Sequence, residues 1–484
     1  MPDNTRAVIV TSRVVAGVVG IAVAAATIAA AALLPLPGIQ LSPQSTSVTP
    51  EPAAKQLVCP GAVLQLGDTG GQNASVASAI DQPVVTISAS GGYDTTSLRQ
   101  QDAAPDSAGA AQLVTAPASA DSAASLAGAQ YQSVDRGDYR GLAAAACAQP
   151  SSDTWLVGGS TTVGRTTLLT LANPGAVDST VAVELFSGEG VVEASGLTGI
   201  VVPASGQRVV SLAGFGPDLA SLALHVTSRG GPVAANLQEA IVRGIEPSGV
   251  DVVGATTAPN TRAVIPGVVV LDADEVAGRL GEPGFEDLGA ALRVFVPGET
   301  AAQVTVSVLP ESGDEAGGDE LTGASFELVL DPGAVTDVPI EGLVDGSYSV
   351  IVESSVPVVT AMRVSTVAAE KIGSVPEGAS DVAWFAAATA LTDTAFVTIA
   401  SGPGASLHLV NTGESAATVT VGSDTVSVPA GASATVEVTG GDSVAVRGAA
   451  GLYASVSLRA PGRLASYLVS SAASSEAPVA VYRG

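Results

Sequence analysis

The chain has 484 residues, 46 acidic against 19 basic, for a formal net charge of −27. A polyanion without a basic run offers nucleic acid no electrostatic footprint, and two His and two Cys, scattered, cannot assemble a His/Cys metal centre. Hydrophobic residues make up 46% of the chain, enough to bury a core, so disorder does not describe its bulk.

Residues 1–13 read as a short cytoplasmic leader containing Arg6 and Arg13. Val14–Leu34 is uncharged and mainly apolar, close to the ~20 residues that span a bilayer as a helix. With the basic flank inside, it predicts a single-pass anchor in the cell membrane and an extracytoplasmic position for everything after it. The rival reading is a cleaved signal peptide with Ala30–Ala32 as the processing site, although such apolar cores are normally shorter. Either way the bulk of the chain is exported. The Pro/Ser-rich tract 35–55 reads as an extended stalk.

Residues 56–152 form an N-terminal β-rich domain, with strands expected over Gln56–Leu66, Gln82–Ser90, Ala111–Ala116 and Ala129–Val134 and a short Ala-rich helix over Leu142–Ala148. Cys59 and Cys147, near its two ends, are expected to form a disulfide in the oxidising exterior. Closing so long a loop contributes roughly 4–5 kcal/mol in the chain-entropy picture.

From residue 153 onward a weak repeat of about 100 residues recurs, a length typical of small sandwich domains. Each copy begins with two strands flanking a Gly/Pro/Asn turn (Thr167–Phe186, Leu292–Leu309, Leu407–Val421). A hairpin on a Pro/Gly turn follows (Gly199–Leu212, Phe326–Ile340, Thr425–Val438), then a pair of strands (Leu222–Gln238, Gly346–Ser365, Asp442–Ala460). Val181, Val183 and Leu185 share one face, as do Val304, Val306 and Val308, the period of half-buried antiparallel strands. The predicted fold class is all-β: tandem immunoglobulin-like β-sandwiches over 153–259, 260–376 and 377–484. The alternative is one closed β-ring or propeller-like assembly, whose blades usually recur at shorter intervals.

Residues 260–375 carry 19 acids against 5 bases, concentrated in two insertions, 272–287 and 311–320. Asp272, Asp274, Glu275, Asp314 and Glu315 are the candidate ligands for a weak Ca²⁺ site, the one cofactor the sequence leaves open. Without EF-hand spacing, solvated loop tips are the simpler reading.

The catalytic inventory is sparse. His225 and His408 lie on strand faces opposite Leu residues, at exposed or inter-domain positions, and no GxSxG, HExxH or P-loop accompanies them. Trp155 opens the first repeat and Trp384 the third; packing at the junctions between units accounts for them, and a platform for sugar rings is the functional alternative.

Leu57–Gly61, Trp155–Gly159, Leu171–Gly175 and Gly244–Asp251, following an anchor and a stalk, resemble an actinobacterial family of membrane-anchored extracytoplasmic proteins of unknown function. Members of that family are often encoded near envelope glycosyltransferases, which implies a role in cell-envelope biogenesis. The combined expectation is a non-enzymatic scaffold that meets an envelope protein. A module for cell-wall glycan is the first alternative and an exported hydrolase a distant second.

Overall fold

The computed structural model describes residues 17–27, 45–48, 54–67, 76–102, 109–118, 125–312, 323–470 and 479–482. The protein is all-β, with several antiparallel sheets and one short α-helix, Ala273–Arg279, in its main body. The chain divides into two compact units. The smaller holds a helix over 17–27, inside the expected anchor. It also holds a two-stranded ladder in which Ser45–Val48, from the tract expected as stalk, pairs antiparallel with Val479–Tyr482. Residues 14–16 and 28–34 of the expected anchor lie outside the described residues. Among the described residues no helix is long and apolar enough to cross a membrane.

The larger unit, Pro52–Ser475, contains three copies of one strand order. In the first copy, strands Asp153–Val157, Ala223–Arg229, Ser179–Ser187 and Thr198–Val202 are successive neighbours in one sheet. Glu246–Val253, Ala234–Arg243, Arg165–Asn173 and Gly206–Ser211 are neighbours in the other. The third copy repeats both orders with Thr394–Thr398, Ser443–Arg447, Ala417–Val421 and Asp424–Val428, and with Arg463–Leu468, Tyr453–Ala460, Ser406–Asn411 and Ala432–Glu437. The two sheets of each copy share one apolar core. Val181, Val183 and Leu185 point into the first of these, and Val304, Val306 and Val308 into that of the second copy, as their alternation predicts.

The second copy differs in one respect. The expected pair of strands over Gly346–Ser365 is a single strand, Gly346–Val367. Its first half pairs with Asn260–Val270 and Ala302–Pro310 in one sheet; its second half pairs with Ala291–Phe295 and Ser380–Ala386 in the other. The first copy makes this crossing at Gly230-Gly231-Pro232, which permits a turn, whereas Ser354–Pro357 has no glycine and the strand only bends. Ser380–Ala386 therefore closes the second copy, and Trp384 on it does not open the third.

The Ala-rich segment is not a helix. Tyr139–Ala146 is a strand paired with Leu126–Arg136. Leu142 and Ala144 pack into the core of the third copy, while Ala143 and Ala145 face Val250 and Val252 of the first. Small side chains along this strand let neighbours pack closely on both of its faces, so here packing overrides the helix propensity of alanine. Cys59, on strand Lys55–Cys59, is disulfide-bonded to Cys147, and the bridge ties together the ends of this N-terminal region.

Candidate functional site

Trp155, His225 and Glu184 are cross-strand neighbours on three adjacent strands, Trp155 opposite His225 and His225 opposite Glu184. Period-two alternation puts them on the sheet's outer face, since Leu156, Leu224, Val183 and Leu185 fill the core beneath. Phe186, two residues beyond Glu184 on the same face, reaches toward the second copy, where Phe295 stacks on it with centroids 4.3 Å apart. The His225 ring lies flat on Trp155, 4.3 Å between centroids and 7° between planes. Its Nδ1 is 3.0 Å from Glu184 Oε2 and its Nε2 3.2 Å from Asp153 Oδ1, so the imidazole is clamped between two carboxylates.

This cluster forms the floor of an open cleft of about 550 Å³ between the first and second copies. One wall is the hairpin tip Gly188–Val191; the other is made by the turns Pro297–Gly298 and Pro332–Ala334. The chain has only seven Phe, two Trp and two His, and three Phe/Trp and one His meet here. Apolar walls with a few convergent polar groups are the usual form of a ligand site.

Trp384 sits elsewhere, 3% exposed in the junction between the same two copies. Its Nε1 donates to Glu239 at 2.7 Å, and the Arg293 guanidinium lies 4.7 Å from its ring centre. Arg293 also donates to Asp337 through two bonds of 2.7 and 2.9 Å. Burial pushes the Asp337 carboxyl up, but the guanidinium beside it wins and holds it below its ordinary value. With its ring so enclosed, Trp384 offers no sugar platform.

The described acids of the first insertion are held by the fold rather than grouped. Asp272 adopts a left-handed backbone, and its carboxylate accepts from the Thr366 hydroxyl at 2.7 Å and the Gly462 N–H at 3.3 Å. Asp274 and Glu275 lie in the first turn of the helix Ala273–Arg279, where they complement its dipole. Asp314 and Glu315 lie outside the described residues. Among the described residues no three acidic, His or Cys side chains are grouped so as to hold a metal ion.

Sequence reasoning missed a second constellation. Glu311, assigned to the solvated insertion, is 3% exposed at the junction of the second and third copies. Its Oε2 is 2.6 Å from His408 Nδ1, and His408 Nε2 is 2.8 Å from Ser457 Oγ. Ser349, Thr435 and the Gly267 N–H also donate to Glu311. The order Ser–His–carboxylate is that of a hydrolase triad. Here, however, His408 and Ser457 are fully enclosed, so no substrate carbonyl reaches Ser457 without the junction opening. No local pattern in the sequence signals it, because Glu311 and His408 lie 97 residues apart.

The model of the family of unknown function DUF5719 matches residues 101–449, most of the chain. The chain belongs to this family. The match runs from the N-terminal region through the cleft and into the third copy, so the cleft lies wholly inside the family region, while Ser457 of the enclosed set lies beyond it. No curated protein matches the chain.

Proposed function

We propose that this DUF5719 member is a non-enzymatic interaction protein of the cell envelope, held outside the membrane by residues 14–34, that receives a partner protein in the Trp155 cleft. The observation that carries the reading is the gathering of scarce aromatic residues in an open cleft between two units. On this reading the three copies are immunoglobulin-like sandwiches whose role is to hold the two walls of the cleft in fixed relation. The enclosed state of the Ser457–His408–Glu311 set supports a non-catalytic reading, because a nucleophile must be reachable. The experiment is in-cell photo-crosslinking from position Val191, which is exposed on the cleft wall. A discrete envelope protein is the expected product. Absence of any crosslinked protein, together with turnover of a substrate lost in His408→Ala, would replace the scaffold with a hydrolase.

A second reading has one observation in its favour: the half-buried Phe186 ring and carboxylates at an open cleft also suit a cell-wall polysaccharide, with Trp155, itself only 8% exposed beneath His225, as the support of that floor. Pelleting of the purified chain with protein-stripped cell wall, lost in Trp155→Ala and Phe186→Ala, would favour it.

A further inference from the structure

We infer that the cleft takes a basic side chain, arginine or lysine, from a peptide segment of the partner; the inference rests on the scaffold reading above. The lining contains two carboxylates, Glu184 and Glu189, and one imidazole, but no Lys or Arg. Asp153 adds a third carboxylate on the far side of His225.

The carboxylates on either side of His225 are not used up by the fold. The Glu184 and Asp153 side chains are 64% and 63% exposed, and each meets His225 through a single oxygen. An ionised carboxylate has about four acceptor positions, so most remain free toward the opening. An anionic ligand would be repelled here. A neutral saccharide could hydrogen-bond to the same oxygens, but it would leave the excess charge uncompensated.

A guanidinium or ammonium group satisfies both demands. Its charge pairs with the carboxylates, and its methylene stem lies along the apolar aromatic floor at Phe186. The two walls approach each other closely: a Cβ added at Gly188 would lie 3.4 Å from the Val335 carbonyl. At that end the lips are too close to admit a peptide backbone, so the backbone stays outside them and a single side chain enters the open part of the cleft. The chain's net charge of −27 adds long-range attraction for a basic partner.

The test uses the full-length chain in detergent and three probes: a Gly/Ser peptide with one central arginine, the same peptide with citrulline, and a neutral tetramer of N-acetylglucosamine. The arginine peptide should bind at least about tenfold more tightly than the citrulline one, and raising the salt should weaken it severalfold. Glu184→Gln and Glu189→Gln should each cost about two- to fivefold, the range of exposed ion pairs. Val191→Arg, at an exposed position that folding does not require, should do the same by repulsion. Equal binding of the arginine and citrulline peptides overturns the inference, as does failure of the arginine peptide to bind at millimolar concentration. So does salt-insensitive binding of the saccharide alone. If crosslinking captures a partner whose capture is indifferent to the two Gln variants, the basic side chain is wrong and the scaffold stands. If arginine binds but no partner is captured, the scaffold reading falls.

Discussion

Asp381 lies where strands Tyr139–Ala146, Glu246–Val253, Ser380–Ala386 and Arg463–Leu468 converge from four parts of the chain. No ladder joins these four among the described residues, so the N–H groups at their crossing need another acceptor. The Asp381 carboxylate accepts from Leu142, Val250, Val382 and Leu464 at 2.8, 3.3, 2.9 and 3.2 Å. Gly141, with φ +152°, makes the approach feasible, because a Cβ there would collide with this carboxylate. Replacing Asp381 with Ala leaves four buried donors without a partner and should cost about 3–5 kcal/mol, read from the urea midpoint. Burial pushes the Asp381 carboxyl up to about 7, against the opposing pull of the N–H groups and Arg463. A folded value above the unfolded one means that stability is fully present below about pH 4 and is lost as the pH rises through 7. Three pH units correspond to about 4 kcal/mol at most. Asp381→Asn keeps the shape without the titration, so its stability should fall less steeply than that of the wild type from pH 4 to 8. A slope equal to that of the wild type would move the effect to another group, Asp251 first, whose burial acts in the same direction.

The last strand of each copy takes part in that convergence, and this was the element hardest to read in the sequence. The repeat itself was legible, because alternation and Pro/Gly turns are local signals: Val181/Val183/Leu185 and Val304/Val306/Val308 need no tertiary information. Ser380–Ala386 and Tyr139–Ala146 are buried on both faces, so they show no alternation, and the first was assigned to the wrong copy while the second was read as a helix. In the cleft, Trp155 and His225 were noticed singly. Their pairing depends on a register between strands about 70 residues apart, which no local pattern encodes. The same holds for the ion pairs between elements. Asp287, counted with the solvated acids, meets Arg165 at 2.8 Å, contacts Arg243, and lies 3.7 Å from Arg363, joining the first copy to the second. Burial pushes its carboxyl up, but the three guanidinium groups prevail and hold it at about 2. A depressed value stabilises above about pH 4, and the contribution is lost as the pH falls toward 2. Allowing for partial exposure, Asp287→Asn should cost about 1–2 kcal/mol at pH 7. Unfolding curves of variant and wild type should draw together as the pH falls and converge only at about pH 2 and below; a difference that persists there would mean the Asn side chain disturbs packing instead.

At the scale of the whole larger unit, the four converging strands close a circuit: Tyr139–Ala146 packs on Glu246–Val253, that strand on Ser380–Ala386, that one on Arg463–Leu468, and the last back on the first. Three copies joined only end to end would each keep a complete core after loss of a neighbour. Here cores are shared across the circuit: Leu142 and Ala144 belong to the core of the third copy, Leu464 to that of the second, and Trp384 and Phe295 to that of the first. Removing residues 391–484 would uncover Leu142 and Ala144, both at most 1% exposed, and would take away the Leu464 and Gly462 N–H groups that Asp381 and Asp272 accept. At about 25 cal/mol per Å² of apolar surface, a few such side chains amount to several kcal/mol, a large part of the stability of an ordinary domain. Calorimetry of the full-length chain should therefore show one dominant cooperative transition for the larger unit. The chain truncated after residue 390 should bind a hydrophobic dye and lose that transition altogether. If the units are independent, the truncated chain will instead melt at the same temperature as the corresponding transition of the whole, with the dye dark. In that case the cleft between the first two copies would also keep its shape without the third, and crosslinking from Val191 would be unaffected by the truncation.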